Sequence, residues 1–253
     1  MTAVRGTTVD VTTADGVADA YVAHPDGDGP FPAVLFYMDA FGLRPHLEKM
    51  ADRLAAEGYL VLVPNVFYRA GRAPVVELPD FIDPAARPGL FEQIMPMLRS
   101  LTPEGLMSDA RAYLGWLADS PLAAGGPVGI TGYCMGAGLA LRTAGTYPDR
   151  VAAAAGFHGA NLASEADDSP HLLAGEVTAE LYFAHADQDS AMPVEQIDRL
   201  EKALTDAGVT HRCEVYAGAH HGYTQADTAA YDAEAAERHW TELLALFERT
   251  LTP

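Results

Sequence analysis

Short, almost continuous apolar segments alternate with amphipathic helical segments from residue 32 to the end of the chain. Apolar segments this short, with few polar positions, are typical of strands that are buried on both faces, as in a parallel sheet. Repeated strand–helix units join parallel strands by helical crossovers, and those helices cover the sheet. The sequence therefore predicts an α/β fold with a mostly parallel, doubly wound sheet.

The N-terminal region follows a different pattern, in which the turn-prone residues Ala14, Asp15 and Gly16 separate two β-prone segments. This pattern predicts an antiparallel hairpin. The predicted strands cover residues 7–12, 18–24, 32–37, 59–63, 127–131, 151–156, 180–184 and 211–216. The predicted helices cover residues 45–57, 90–99, 102–118, 135–147, 194–207 and 228–251. No repeat or low-complexity linker divides the chain, so we expect a single domain over residues 1–253, without a separate cap domain.

One connection, residues 68–101, is much longer than the others and is rich in proline. Connections this long are often functional. This one is expected either to cover a site partially, as a lid, or to run over the surface, and the sequence leaves both alternatives open.

Acidic residues outnumber basic residues along the whole chain, with 35 Asp and Glu against 16 Lys and Arg and a formal net charge of −19. This charge repels a phosphate backbone, so we do not expect a nucleic acid partner. No apolar segment approaches the roughly 20 residues that span a bilayer, and residues 1–15 lack the apolar core of a secretory signal. Two cysteines are too few for a disulfide framework in a chain of this size, so we expect a cytoplasmic protein. We further expect a small molecule as its partner, and either a monomer or a homodimer.

The strongest chemical signal is the segment 132–136, Gly-Tyr-Cys-Met-Gly, between a predicted strand and a predicted helix. A nucleophile flanked in this way occupies a sharp strand-to-helix turn, in which small neighbours leave room for strained backbone angles. The positive end of the following helix favours a thiolate at Cys134. The alternative is a buried structural cysteine, which is our interpretation of Cys213, flanked by Arg212 and Glu214 in a predicted strand.

A nucleophile of this kind needs a base, and the base needs an acid that orients it. In α/β-hydrolases the three follow in the order nucleophile, acid, histidine, each in a loop after a strand. Asp187 or Asp189 fits the acid, and His220 or His221 fits the base. The residue pattern alone leaves both choices open.

The chain resembles the dienelactone hydrolases (carboxymethylenebutenolidases) over most of its length. Four segments, in the same order as in that family, carry the resemblance: 38–42 Met-Asp-Ala-Phe-Gly, 129–136 Gly-Ile-Thr-Gly-Tyr-Cys-Met-Gly, 189–193 Asp-Ser-Ala-Met-Pro and 218–223 Gly-Ala-His-His-Gly-Tyr. The resemblance implies an α/β-hydrolase fold and selects Asp189 and His221 as partners of Cys134. It also implies a hydrolase that cleaves a lactone or carboxylic ester through a thioester at Cys134.

In the same family a glutamate stands at the position of Asp39 and contacts the resting thiol. The shorter Asp39 is expected to reach the thiol, to act through water, or only to cap the turn that follows. The backbone amides of Ala40 and Met135 are expected to form the oxyanion hole.

The resemblance is weaker for the substrate-binding residues. Members that cleave dienelactone hold its carboxylate with two arginines, of which Arg69 matches the first while Gln225 replaces the second. A neutral amide cannot supply the charged contact of an arginine, so dienelactone itself is not the expected substrate. Tyr37, Tyr68 and His158 are further candidates for the lining of a substrate pocket.

Cofactor motifs are missing from the sequence, and its histidines form no H-x-x-x-H or H-E-x-x-H pair. We therefore expect neither a cofactor nor a metal. Two alternatives to a hydrolase remain. One is a member of the same fold that only binds a ligand, and the other is a redox-sensing protein that uses the Cys134 thiol.

Overall fold

The computed structural model describes residues 2–83 and 89–251 of the chain. The strands are β1 (Val4–Thr13), β2 (Gly16–Pro25), β3 (Ala33–Tyr37), β4 (Leu60–Pro64), β5 (Val128–Tyr133), β6 (Val151–Phe157), β7 (Glu180–Ala186) and β8 (His211–Tyr216). The α-helices are α1 (Pro45–Ala56), α2 (Gly89–Ser100), α3 (Pro103–Asp119), α4 (Met135–Thr146), α5 (Val194–Asp206) and α6 (Ala233–Leu251). The chain divides into two compact units, with the boundary in the sequence between Val128 and Gly129.

The first unit contains the N-terminal hairpin and the first parallel strand pair. β1 pairs antiparallel with β2, and β2 pairs antiparallel with β4. β3 lies on the other side of β4 and runs parallel to it. Helix α1 packs on β2 and β4, and its apolar residues Leu47, Met50 and Leu54 are buried. Burial of one face of this helix and of both faces of β3 and β4 forms the core of this unit.

The second unit carries the strands that end at the candidate site. β6 runs parallel to β7, and β7 runs parallel to β8. Helices α4 and α6 both pack on β6, and α5 packs on β8. Because β5 and β6 are nearly free of polar side chains and are buried along almost their whole length, they hold the loops at their carboxyl ends on a rigid base.

The predicted α/β class, with a mostly parallel set of strands and an N-terminal antiparallel hairpin, is confirmed. Each predicted strand and helix is present, although α6 begins at Ala233 and not at residue 228. The carboxylate of Asp232 accepts the Ala235 amide proton at 3.0 Å and caps that helix. Thr228 instead donates its hydroxyl proton to the Gln225 carbonyl within the preceding loop.

The long connection 68–101 contains α2 as predicted. Residues 84–88 of this connection lie outside the described residues, so the lid alternative stays a prediction. Within residues 2–83 and 89–251, no helix is both long enough and apolar enough to cross a membrane.

Candidate active site

Cys134 occupies the sharp turn between β5 and α4. Its backbone has φ 54° and ψ −115°, which is unusual for a residue other than glycine. The Cys134 amide donates to the Phe157 carbonyl of β6 at 3.1 Å, and its carbonyl accepts from the Ala137 amide in the first turn of α4. The thiol therefore stands at the N-terminal end of a helix, on a strained backbone that neighbouring strands hold in place.

Two glycines explain how this turn can form. A Cβ atom at Gly132 would lie 2.0 Å from the Gly136 carbonyl oxygen. A Cβ atom at Gly156 of β6 would lie 2.6 Å from the Phe183 ring and 2.8 Å from Ala137. A side chain at Gly132 would overlap the backbone of α4, and one at Gly156 would press on both the Phe183 ring and α4. The sequence has glycine here because the helix approaches the sheet too closely for another residue.

Asp189 and His221 are joined by a short hydrogen bond. The distance between Asp189 Oδ2 and His221 Nδ1 is 2.6 Å. The other carboxylate oxygen, Oδ1, accepts the Ala191 amide proton at 2.8 Å, so the carboxylate is fixed in orientation. The Asp189 side chain is nearly buried and that of His221 is partly exposed. This pairing leaves Nε2 as the nitrogen of His221 that can exchange a proton with another group.

Cys134 and Asp189 act on the same imidazole. Burial disfavours the charged form of His221, but hydrogen bonds to Asp189 and Cys134 and the negative charges of both groups raise its pKa to about 10. An imidazolium is therefore stabilised between a carboxylate and a sulfur. Such an arrangement supports nucleophilic and acid–base chemistry.

The alternative candidates for the acid and the base, Asp187 and His220, make other contacts or are exposed. Asp187 accepts the Gly218 amide proton on its carboxylate at 2.9 Å and donates its own amide to the Ala219 carbonyl at 2.7 Å. It thus ties the loop of Asp189 to the loop of His221. His220 is exposed. Of the two candidate pairs, Asp189 and His221 are the ones that hydrogen-bond to each other.

His158 lies beside His221 and is completely buried. The two ring centroids are 5.3 Å apart, and the rings meet edge to face. His158 Nε2 lies 2.7 Å from Thr224 Oγ1, which also accepts the side-chain amide of Gln225 at 3.1 Å. Gln225 is itself almost fully buried. His158 and Gln225 therefore belong to the support of the His221 loop and have little surface to offer a substrate.

Residues 18–251 match the family described as dienelactone hydrolase family. The chain belongs to the dienelactone hydrolase family. A putative carboxymethylenebutenolidase of Synechocystis sp. is 27% identical over 91% of both chains. The carboxymethylenebutenolidase of Rhodococcus opacus is 26% identical over 90% of this chain and 86% of its own.

Solved structures agree on the fold. The dienelactone hydrolase-like promiscuous phosphotriesterase P91, from metagenomic libraries, has a TM-score of 0.82 at 24% identity and covers 99% of this chain and 100% of its own. The dienelactone hydrolase of Anabaena variabilis has a TM-score of 0.67 at 19% identity and covers 98% of this chain and 99% of its own. These likenesses confirm the α/β-hydrolase fold.

Asp39 occupies the position at which the family resemblance implies a thiol-contacting glutamate. Its carboxylate forms a two-pronged ion pair with Arg44, at 2.7 and 2.9 Å, and both side chains are buried. It also accepts the Phe41 amide proton at 2.9 Å. These contacts match the turn-capping alternative for Asp39. Ala40, the expected oxyanion donor next to it, is buried in the same turn; that role of Ala40 stays a prediction.

Arg69 is held by two carboxylates. It binds Asp109 with two nitrogens at 2.7 and 3.0 Å and contacts Asp15 at 2.5 Å. Its guanidinium also lies over the ring of Tyr68, whose hydroxyl donates to Asp109 at 2.9 Å. A substrate carboxylate would have to compete with both aspartates for this arginine. The other expected pocket residue, Tyr37, is buried at the end of β3.

Three residues that the sequence did not indicate explain these arrangements: Arg44, Asp109 and Thr224. Each carries a polar side chain that is almost completely buried. A buried charge or hydroxyl requires a partner, but the sequence indicates neither the burial nor the partner. The one available signal was proximity, since Arg44 and Thr224 stand close in sequence to Asp39 and His221.

Cys213 differs from Cys134 in its surroundings. Burial, together with a hydrogen bond to Glu201, raises the pKa of the Cys213 thiol, which favours its unreactive form. Both cysteines are free thiols.

In the part of the chain that the structure describes, no three His, Cys, Asp or Glu residues are grouped so that they could hold a metal ion.

Proposed function

We propose that this chain hydrolyses a carboxylic ester or lactone by covalent catalysis at Cys134. Its membership of the dienelactone hydrolase family supports hydrolysis in general. The observation that carries the proposed role of Cys134 is the Asp189–His221 pair, in which a fixed carboxylate binds one side of the imidazole while the Cys134 sulfur contributes to its raised pKa. A thiol or hydroxyl nucleophile is often activated by a histidine that a carboxylate orients in this way.

In the first step, His221 takes the proton of the Cys134 thiol, the resulting thiolate attacks the carbonyl carbon of the substrate, and the carbonyl π electrons move to oxygen. The Met135 amide at the N-terminus of α4 is suited to stabilise that oxyanion. When the tetrahedral intermediate collapses, the carbon–oxygen bond to the alcohol breaks and His221 gives its proton to the leaving oxygen. The product of this half-reaction is a thioester at Cys134. For a lactone, the alcohol remains attached to the acyl group.

In the second step, neutral His221 removes a proton from a water molecule, which attacks the thioester carbon. The carbon–sulfur bond then breaks, the acid leaves, and Cys134 and His221 return to their starting protonation state. Asp189 accepts the Nδ1 proton of His221 in a hydrogen bond throughout, and so keeps Nε2 directed at the reacting atoms.

Substrates without a carboxylate fit the charges of this chain better than dienelactone does. Arg69 is already paired with Asp109 and Asp15, and Gln225 is buried. Neither residue offers a free positive charge to an acid group. We therefore propose uncharged esters or lactones as the substrate class.

The variant Cys134→Ala tests the nucleophile. We expect hydrolysis of p-nitrophenyl acetate to fall by at least about 10³-fold, since removal of a nucleophile in this kind of site leaves little residual catalysis. Mass spectrometry after rapid acid quenching should find an acetyl group on the Cys134 peptide of the wild type. The matched control is Cys213→Ala, which should retain turnover.

Three outcomes would contradict the proposal. Unchanged turnover in a folded Cys134→Ala protein would show that Cys134 is not the nucleophile. Binding of esters and lactones without turnover by the wild type would favour the ligand-binding alternative. Turnover that requires oxidation of Cys134 would favour the redox alternative.

A further inference from the structure

His158 is the first residue after β6, and its backbone is left-handed with φ 39°. Its amide donates to the Ala184 carbonyl of β7 at 2.8 Å, so the residue is anchored to two neighbouring strands. A left-handed backbone at a residue other than glycine is uncommon and is kept only where the surroundings impose it.

The His158 ring is surrounded by the loop that carries His221. Three residues of that loop contact it. His221 and Tyr223 pack against the ring with centroid distances of 5.3 and 5.1 Å, and Thr224 Oγ1 lies 2.7 Å from Nε2. The Tyr223 hydroxyl donates to the Ala184 carbonyl at 3.1 Å. The loop is therefore fastened around His158 on several sides.

The surroundings of the two ring nitrogens indicate that His158 is uncharged. Nδ1 is buried and has no hydrogen-bond partner among the described residues. A protonated ring would carry a second N–H group, on Nδ1, without an acceptor, and would place a positive charge next to the His221 imidazolium. Burial, followed by the charges of His221 and His239, lowers the pKa of His158 well below its ordinary value.

We propose that His158 is a positioning residue for His221: its neutral ring fixes the plane of that imidazole and, through Thr224, the position of the loop that carries it. This inference rests on the proposed function of His221 as the base. The neutral state is essential to it, because a flat uncharged ring can pack against an imidazolium that a charged ring would repel. His158 acts through His221 and does not contact the substrate.

The variant His158→Phe keeps a ring against His221 but loses the hydrogen bond to Thr224. We expect kcat for p-nitrophenyl acetate to fall about 10- to 100-fold, because small displacements of a catalytic group have effects of this size, and KM to change by less than about threefold, because no substrate contact is lost. His158→Gln can place an amide nitrogen near the position of Nε2. It should recover part of the loss, whereas Thr224→Val should reproduce it.

A second measurement needs no substrate. The rate of alkylation of Cys134 by iodoacetamide, followed from pH 5 to pH 10, reports whether His221 still stabilises the thiolate. In His158→Phe and Thr224→Val we expect a slower reaction at neutral pH and a midpoint displaced to higher pH. His211→Gln is the matched control, since the His211 side chain is also mostly buried and its ring nitrogens lie beside the Val209 carbonyl and Glu201. Its midpoint should equal that of the wild type.

These two measurements separate the two proposals. If the wild type hydrolyses no ester, the proposed function fails, and the alkylation profiles still report on His158. If the wild type hydrolyses esters, but folded His158→Phe keeps kcat and the alkylation midpoint of the wild type, the positioning role is overturned. A midpoint that moves equally in His211→Gln would also overturn it, since the effect would then follow from the loss of any largely buried histidine.

Discussion

Asp187 and Asp189 stand two positions apart in one loop, and their carboxylates accept hydrogen bonds from different partners. Asp189 binds the His221 ring and the Ala191 amide, while Asp187 binds the Gly218 amide of the neighbouring loop. Gln188 between them has a left-handed backbone with φ 53°, which changes the direction of the chain. The two acids are similar in sequence, and the difference in their roles comes from that change of direction.

The pair Asp189→Asn and Asp187→Asn tests this assignment. Asp189→Asn replaces a charged acceptor by an amide, which no longer stabilises the imidazolium and can favour the wrong tautomer of His221. We expect kcat to fall about 10³- to 10⁴-fold, as loss of the acid does in comparable sites. In the control Asp187→Asn, the amide oxygen of the new side chain can still accept the Gly218 amide proton, so that variant should stay within about threefold of the wild type. Steady-state kinetics with p-nitrophenyl acetate measures both; equal losses in the two variants would contradict the assignment.

The connection of β5 to α4 depends on close contact between backbone atoms. Gly132 and Gly136 form this turn, and Cys134 between them is held at positive φ by the hydrogen bond from its amide to the Phe157 carbonyl of β6. Helix α4 is rich in small residues, so it lies close to β6 and aligns its N-terminus with the thiol. Geometry and activation of the nucleophile therefore have the same structural origin.

The variant Gly132→Ala should disrupt the turn between β5 and α4. Its methyl group would overlap the Gly136 carbonyl, and a backbone atom cannot rotate away as a side chain can. We expect the free energy of unfolding to fall by about 3 kcal/mol or more. Gly175→Ala is the control, because a Cβ atom there meets nothing within 4 Å, and its change should stay within about 0.5 kcal/mol. Urea unfolding followed by circular dichroism would show the difference, and comparable stability of the two variants would refute the close-contact explanation.

The sequence predicted these elements well because each depends on a local pattern. The apolar runs of β3 to β7 and the glycines around Cys134 can be read from neighbouring residues. The roles of Asp39, Arg69 and Gln225 could not, because their partners Arg44, Asp109 and Thr224 are selected by packing. The start of α6 was also missed, since Asp232 competes with Thr228 as the cap and only the contacts of the loop decide between them.

The net charge of −19 creates a negative potential that any ligand meets before it reaches the site. A field of one sign concentrates ligands of the opposite charge and depletes those of the same charge. The ion pairs of Arg44 and Arg69 reinforce this effect, because they place two of the few positive charges of the chain directly against carboxylates. Uncharged substrates do not experience this electrostatic repulsion.

A matched pair of esters tests the effect of this field. Mono-p-nitrophenyl succinate carries a free carboxylate, and its methyl ester has the same acyl chain without the charge. At an ionic strength of about 0.01 M we expect kcat/KM for the anionic ester to be about 10-fold or more below that of the methyl ester, because little screening occurs over the size of the protein. The ratio should shrink at about 0.5 M salt, where exposed charges more than a few ångströms apart no longer interact. Stopped-flow release of p-nitrophenolate would measure both. A preference for the anionic ester at low salt would mean that an arginine is released to bind the carboxylate, and the substrate class proposed for this chain would then be wrong.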